Sequence, residues 1–292
     1  MNKKFIATLI FCTIFFCASI CSAMKITALD VGQGDSILIE TDSQKILVDT
    51  GPPESREKLM NALSTVDKID KLIITHPHAD HVGNAFYLIE NLPIGIAYDN
   101  GEISASNYYL NYLAGLSLEG IDHVTLKAGD TLKIDDATLT FLNPSETFDT
   151  NNNSLAFRLA YGDFSMLFTG DIGYLAEAEI LAREESIQST VLKAAHHGSK
   201  TSSSYNFVQA VNPEAVIISA GVNNRFKHPH AQAVSVFRRF TNKIYCTAFN
   251  GCVTISTDGF SYTITPAKGS DWLENVDLTN EITSVSKIDS IE

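Results

Sequence analysis

The sequence predicts a mixed α/β sandwich, and three observations carry that expectation. Short apolar, β-prone runs alternate with helical-period segments along the chain. Glycine turns, Gly32 and Gly34 in one and Gly162-Asp163 in another, join neighbouring runs as antiparallel hairpins. From residue 174 onward helix and strand alternate strictly, with no linker or repeat between them.

In chain order, 25–30, 36–41 and 45–49 read as strands joined by tight turns. A helix fits 54–64, and 72–75 is a strand of the buried type. Helical periodicity returns over 82–91 and 105–116, and strands follow near 123–127, 131–134 and 137–142. Residues 154–161 and 164–169 form a hairpin. Helices over 174–184, 203–211 and 231–240 then alternate with strands over 190–195, 215–219 and 243–248, and 252–257 closes the series. Asn250-Gly251 predicts a hairpin turn between the last two strands.

The composition, 45% hydrophobic and 19% charged, fits one globular domain over 24–268. The stretch 269–292 is polar, acidic and aperiodic, and is expected to be loosely ordered. At the other end, Lys3 and Lys4 precede an apolar run over 5–20 that Ser22-Ala23 closes. That is the layout of a signal peptide over 1–23, cleaved after Ala23, with an uncleaved anchor as the alternative. The expectation is an exported protein, periplasmic or released, with no stable membrane span after cleavage. Its oligomeric state is not legible in the sequence.

The whole chain carries a formal net charge of −13, which argues against a generally basic nucleic-acid binder but leaves room for a local cationic groove. Removal of 1–23 would leave Cys246 and Cys252 as the mature cysteines. A disulfide closing their hairpin suits an oxidising compartment; two unpaired strand cysteines are the alternative.

The chemistry concentrates where the strand over 72–75 runs into His76-Pro77-His78-Ala79-Asp80-His81. Imidazoles suit zinc and related divalent ions, and a carboxylate adds a harder oxygen. His76 and His78, two apart at a strand end, can face one ion; Asp80 and His81, past the bend, can reach a second. Further donors stand at later strand ends: Asp171 after 164–169, His196-His197-Gly198-Ser199 after 190–195, and His228-Pro229-His230 beyond 215–219. Asp171 has two acceptor oxygens and can bridge two ions. Asp49, at the end of 45–49, fits an acceptor that fixes a ligand imidazole from behind. Asp30 and Asp35, beside glycines, are candidates for the same supporting role.

The segment THPHADH resembles the signature of the metallo-β-lactamase fold superfamily. With LDVGQGDS (29–36), LVDTG (47–51), NNNSLAFRL (151–159), FTGD (168–171), HHGSKTSSS (196–204) and HPH (228–230), it is similar to the soluble hydrolase domain of ComEC competence proteins. Bacterial phosphorylcholine esterases share that likeness, which spans about 25–260. The resemblance implies a four-layer αββα sandwich with a dinuclear site at the sheet edges. It implies His76, His78, Asp80, His81, Asp171 and His196 as ligands, and His197 beside the substrate.

Two departures stand out. Many superfamily members carry a ligand histidine about twenty residues before the bridging aspartate, where this chain has asparagines at 151–153. It also lacks the membrane-channel segments of the competence protein.

The expected cofactor is a pair of divalent ions, zinc or else manganese, which would bring a shared water toward ionisation near neutral pH. Asp80, His197 and His230 are the catalytic candidates, with His228 a further possible proton donor. Asn153, Ser199, Thr201, Arg225 and His228 are the expected substrate contacts. Hydroxyls and the helix start after 196–204 suit a phosphate, so a phosphodiester, as in nucleic acid, is the expected partner. The alternatives are a carbon ester, lactone or β-lactam hydrolase, and a non-catalytic DNA-uptake module.

Overall fold

The computed structural model describes residues 23–144 and 148–276. Fifteen strands among them form two sheets. One is ordered β15-β14-β1-β2-β3-β4-β5-β6 and the other β13-β12-β11-β10-β9-β8-β7.

The first sheet draws on β1 (Met24–Ala28), β2 (Ile37–Glu40), β3 (Lys45–Val48), β4 (Ile69–Ile73), β5 (Ile94–Asp99), β6 (Asp122–Thr125), β14 (Val253–Thr257) and β15 (Tyr262–Pro266). The second draws on β7 (Thr131–Ile134), β8 (Ala137–Asn143), β9 (Ala156–Tyr161), β10 (Phe164–Phe168), β11 (Val191–Lys193), β12 (Ala215–Ile218) and β13 (Ile244–Cys246).

Three apolar layers define the architecture. Inward residues of both sheets, including Ile26, Ile39, Val48, Phe141, Phe157 and Phe168, meet in a central core. On the outer face of the first sheet, Leu38, Leu47 and Leu72 pack against α1 (Arg56–Ala62), α3 (Ala85–Asn91) and α4 (Asn107–Glu119) through Leu59, Leu88 and Tyr112. On the outer face of the second, Leu167, Leu192 and Val216 pack against α5 (Tyr174–Ala182), α6 (Tyr205–Val211) and α7 (Ala231–Phe237) through Ile180, Phe207 and Phe237. Successive side chains of a strand point to opposite faces, so Ile46 and Val48 serve one layer while Leu47 serves the other. The result is four layers, αββα.

Several expectations change. Strands β5 and β15 were not read in the sequence. The hairpin predicted around Asn250-Gly251 is absent: β13 pairs with β12 in one sheet, β14 with β1 and β15 in the other, and the one-turn helix α8 (Thr247–Asn250) bridges them. Both Cys246 and Cys252 are free thiols, so the expected disulfide is not formed. Beyond Lys268 the chain does not start out loose, because Trp272 is buried in the second outer core and stacks on Phe249 at 5.1 Å. Its one indole outweighs the polar surroundings. All but Ala23 of the signal peptide expected over 1–23, and the tail from 277, fall outside the described residues. Among the described residues no helix is long and apolar enough to cross a membrane.

Candidate metal centre

The donors gather because parallel strands share one end. Strands β3 and β4 run parallel in the first sheet, and β10, β11 and β12 in the second, so their carboxyl ends face a common edge. Beyond β4 the chain extends through His76 and His78 and turns into α2 (Ala79–Val82), which carries Asp80 and His81 in its first turn. Asp171 follows β10, and a 3-10 turn over Ala195–Gly198 follows β11.

This edge is conformationally strained. Asp49 (φ 60°), His196 (φ 49°) and His197 (φ 56°) all occupy the left-handed region, which costs a non-glycine residue energy and concentrates at functional sites. The two consecutive left-handed histidines set their rings at 74° to each other, and both bring Nε2 within 4 Å of Asp171 Oδ2. Gly34 permits a close approach of two backbones here. A Cβ there would stand 2.3 Å from the Asp80 carbonyl oxygen, so no larger residue lets the β1–β2 loop pack under α2.

Asp171 is the hub. Its Oδ2 lies 3.3 Å from His81 Nε2, 3.4 Å from His197 Nε2, 3.8 Å from His196 Nε2 and 4.0 Å from His76 Nε2. His78 Nδ1 lies 3.0 Å from His76 Nε2, and Asp80 Oδ2 lies 3.3 Å from His197 Nε2. Ligand atoms of Asp80, His81, Asp171 and His197 all fall within 4.8 Å of one another. His81 Nε2, His197 Nε2 and Asp171 Oδ1 are buried without a hydrogen-bond partner. Buried polar atoms are rarely left unpaired, and three of them on residues gathered in one cluster suit a divalent cation. The donor set therefore fits the metal that the sequence implies.

The partners behind the imidazoles complete the fit. His81 Nδ1 donates to Asp49 Oδ2 at 2.8 Å, and Thr75 pins that carboxylate through its backbone N–H (2.7 Å) and hydroxyl (2.8 Å). His197 Nδ1 donates to the Ser219 carbonyl at 3.0 Å. With Nδ1 engaged as donor, each ring turns its Nε2 toward Asp171.

The field at the cluster is anionic. Burial opposes charge on His81, yet Asp171 and Asp49 outweigh it and raise its pKa well above the ordinary value. Burial is likewise overcome at His197 by Asp171, Asp35 and Asp80. His76 behaves oppositely: burial, then His81, holds it well below the ordinary value, so its ring is neutral. Burial would raise the Asp171 carboxyl, but His197 and His81 pull it far down and keep it ionised.

Other candidates divide. Thr201 joins Asp171, His196 and Asn151 in lining one cavity of about 410 Å3. Arg225 joins Asp80, Gln33, Tyr108 and Phe226 in lining another of about 510 Å3. Ser199 is buried and bonds Thr201 Oγ1 at 2.9 Å. His228 Nδ1 accepts from Gln33 Nε2 at 3.3 Å, and burial together with His197 and His230 pushes its pKa down to about 3. His230 Nδ1 accepts from the Lys200 N–H at 3.1 Å, and its ring lies 4.8 Å from that of His228.

Two candidates do not belong to the site. Asn153 spends its amide on neighbouring loops, accepting from the Phe148 N–H at 2.7 Å and donating to Glu102 of the segment after β5 at 3.0 Å. Asp30 caps the Gly32 N–H and pairs with Lys58 at 3.2 Å on the surface, whereas Asp35 lies 3.4 Å from His197. The sequence had also set His197 beside the substrate; it stands inside the donor cluster. Lys193, Ser219, Thr75 and Gln33 were not read in the sequence. Only Lys193 left a signal, as a charge inside the apolar strand Val191–Lys193.

A fold of two packed sheets with a histidine-aspartate cluster at their shared edge defines a class, and the metallo-beta-lactamase superfamily model matches residues 29–222. The chain belongs to that superfamily. Among curated proteins it is 30% identical over 269 residues to ComE operon protein 3 of Bacillus subtilis, covering 83% of this chain and 34% of that one. It is 32% identical over 237 residues to competence protein ComA of Neisseria gonorrhoeae, covering 78% of this chain and 31% of that one. The chain thus spans about a third of the length of these relatives.

Among solved structures, the metallo-beta-lactamase fold protein YhfI from Bacillus subtilis matches with TM-score 0.54 at 14% identity, over 76% of this chain and 95% of that one. CmlA, a diiron beta-hydroxylase from Streptomyces venezuelae, matches with TM-score 0.51 at 15% identity, over 80% of this chain and 53% of that one. These likenesses show the fold alone.

Proposed function

We propose that this protein is an exported metal-dependent hydrolase that cleaves phosphodiesters, with nucleic acid as the first substrate class to test. The observation that carries this reading is Asp171 Oδ2 within 4.0 Å of four imidazoles, two of whose Nε2 atoms are buried and unpaired. Asp171, His76, His78, His196, Asp80, His81 and His197 are the residues that would hold the divalent cations. Such cations supply positive charge to a phosphoryl oxygen and ionise a water near neutral pH.

The chain's own groups then have distinct tasks. Asp49 and the Ser219 carbonyl hold the rings of His81 and His197 in register. His228 accepts at Nδ1, which leaves Nε2 as its protonated nitrogen and a donor to a substrate oxygen. Two cavities adjoin the cluster, one reaching Asp80 and the other Asp171, which suits a substrate extending on both sides of its reacting phosphate. Arg225 in the first contributes charge, and Thr201 in the second a hydroxyl. The name of the relative ComA points to competence. The net charge of −13 disfavours long duplex DNA, whose binding relies on phosphate neutralisation.

The test is a substrate panel on protein loaded with zinc or manganese: single-stranded DNA, RNA, bis(p-nitrophenyl) phosphate, a lactone and a β-lactam. Phosphodiester turnover that disappears in Asp171→Ala is the expected result. Turnover of the lactone or β-lactam alone would move the enzyme to carbon substrates. Metal-dependent DNA binding without turnover would make it a binding module.

A further inference from the structure

Lys193 ends β11 with 1% of its surface exposed. Lysine is almost never so enclosed unless its charge is matched, because an unpaired buried ammonium is strongly disfavoured. Here Nζ lies 2.8 Å from Asp35 Oδ2 and donates to the Ala194 carbonyl at 2.9 Å. The other carboxylate oxygen, Asp35 Oδ1, faces His197 Nδ1 at 3.4 Å, while that nitrogen donates to the Ser219 carbonyl at 3.0 Å. His197 Nε2 emerges on the far side of the ring, 3.3 Å from Asp80 and 3.4 Å from Asp171. A row of three buried groups thus runs from β11 through the β1–β2 loop into the donor cluster.

We propose that Lys193 is a positioning residue: its buried ammonium fixes and balances Asp35 behind His197, so that the imidazole keeps Nε2 turned toward the cations. This rests on the metal-site reading and is independent of the substrate. Asp35 without Lys193 is an unbalanced charge beside the ring, competing with Ser219 for the Nδ1 proton and tilting Nε2 away from Asp171. Removing one member of a buried ion pair leaves such a charge, whereas neutralising both members together is tolerated.

The experiment titrates metal-free protein with Zn2+ against a competing chelator for wild type, Lys193→Met, Asp35→Asn and the double variant. Histidine ring 15N spectra of the same samples report the His197 tautomer. Lys193→Met should weaken Zn2+ binding roughly 10- to 100-fold and alter the His197 signal, as expected when groups behind a ligand are disturbed. The double variant should return affinity to within about threefold of wild type, as balanced neutralisation requires; it also decides the matter if Lys193→Met fails to fold. A Lys193→Met protein that binds Zn2+ like wild type, with only its melting temperature lowered, would assign Lys193 to stability alone. A double variant as weak as the single would also overturn the proposal. Wild type that binds no Zn2+ would overturn the metal site itself, and this proposal with it.

Discussion

Asp49 shows what one side chain does at this site. Its carboxylate is completely buried, and burial raises its pKa, yet it accepts from Thr75 twice and from His81 once. Asp49→Asn keeps the shape but puts an amide N–H where His81 needs an acceptor. The variant should fold and bind Zn2+ roughly 10- to 100-fold more weakly, which chelator competition measures. Unchanged affinity would remove Asp49 from the site. The residue types were legible because histidine and aspartate crowd into six positions after one strand. Their partners were not, because a carbonyl such as Ser219 O carries no residue signature. Asn153 and Asn151 are equivalent in sequence, and only the fold shows that 153 turns into its loop while 151 lines the cavity with Asp171.

Helix α5 anchors the loop that follows the histidine turn. Glu177, buried on its first turn, accepts the backbone N–H of Ser203 and that of Ser204, and burial raises its carboxyl. It thereby ties the 199–204 loop and the start of α6 to α5. Glu177→Gln presents an N–H to one of those donors and should destabilise the fold by about 1–3 kcal/mol, seen in chemical denaturation. No loss of stability would mean that the loop is held by other contacts.

At the far end of the first sheet, His123 on β6 pairs with Asp99 on β5 at 2.8 Å. That bond raises the histidine's pKa despite partial burial. Its contribution is fully present below the ordinary value of about 6.5 and fades as pH rises through the higher folded value. His123→Gln should therefore cost up to about 1 kcal/mol at pH 5.5, and less at pH 8.5. A loss that is equal at both pH values would contradict the pairing.

Most helices and strands could be read from periodicity. Strand β5 escaped because Gly95 and Tyr98 interrupt its apolar run, and its identity comes from pairing with β4. The hairpin reading of 243–257 failed because a turn signal does not specify whether its flanks share a sheet.

Across the whole molecule, the cluster joins the two sheets: His76, Asp80 and His81 follow a strand of the first, Asp171, His196 and His197 strands of the second. A cation held there would cross-link the layers at one edge. Adding Zn2+ to metal-free protein should raise the melting temperature in proportion to the logarithm of ion concentration, gaining about 2.7 kcal/mol at a hundred times the dissociation constant. A melting temperature indifferent to Zn2+ would show that no cross-link forms. The four-layer sandwich was foreseeable from the ordered motifs, whereas convergence of the donors depends on the parallel order of β10, β11 and β12, a long-range property that local periodicity does not encode.

The claim on which the rest stands, that donors from both sheets hold divalent ions around Asp171, is tested most directly by elemental analysis. Purified wild-type protein and Asp171→Ala would be dialysed side by side against Zn2+ and washed of loosely held ion. About two equivalents per chain in wild type and fewer than one in the variant is the predicted result, from the loss of a shared ligand. Equal metal content in the two, or none in wild type, would contradict it.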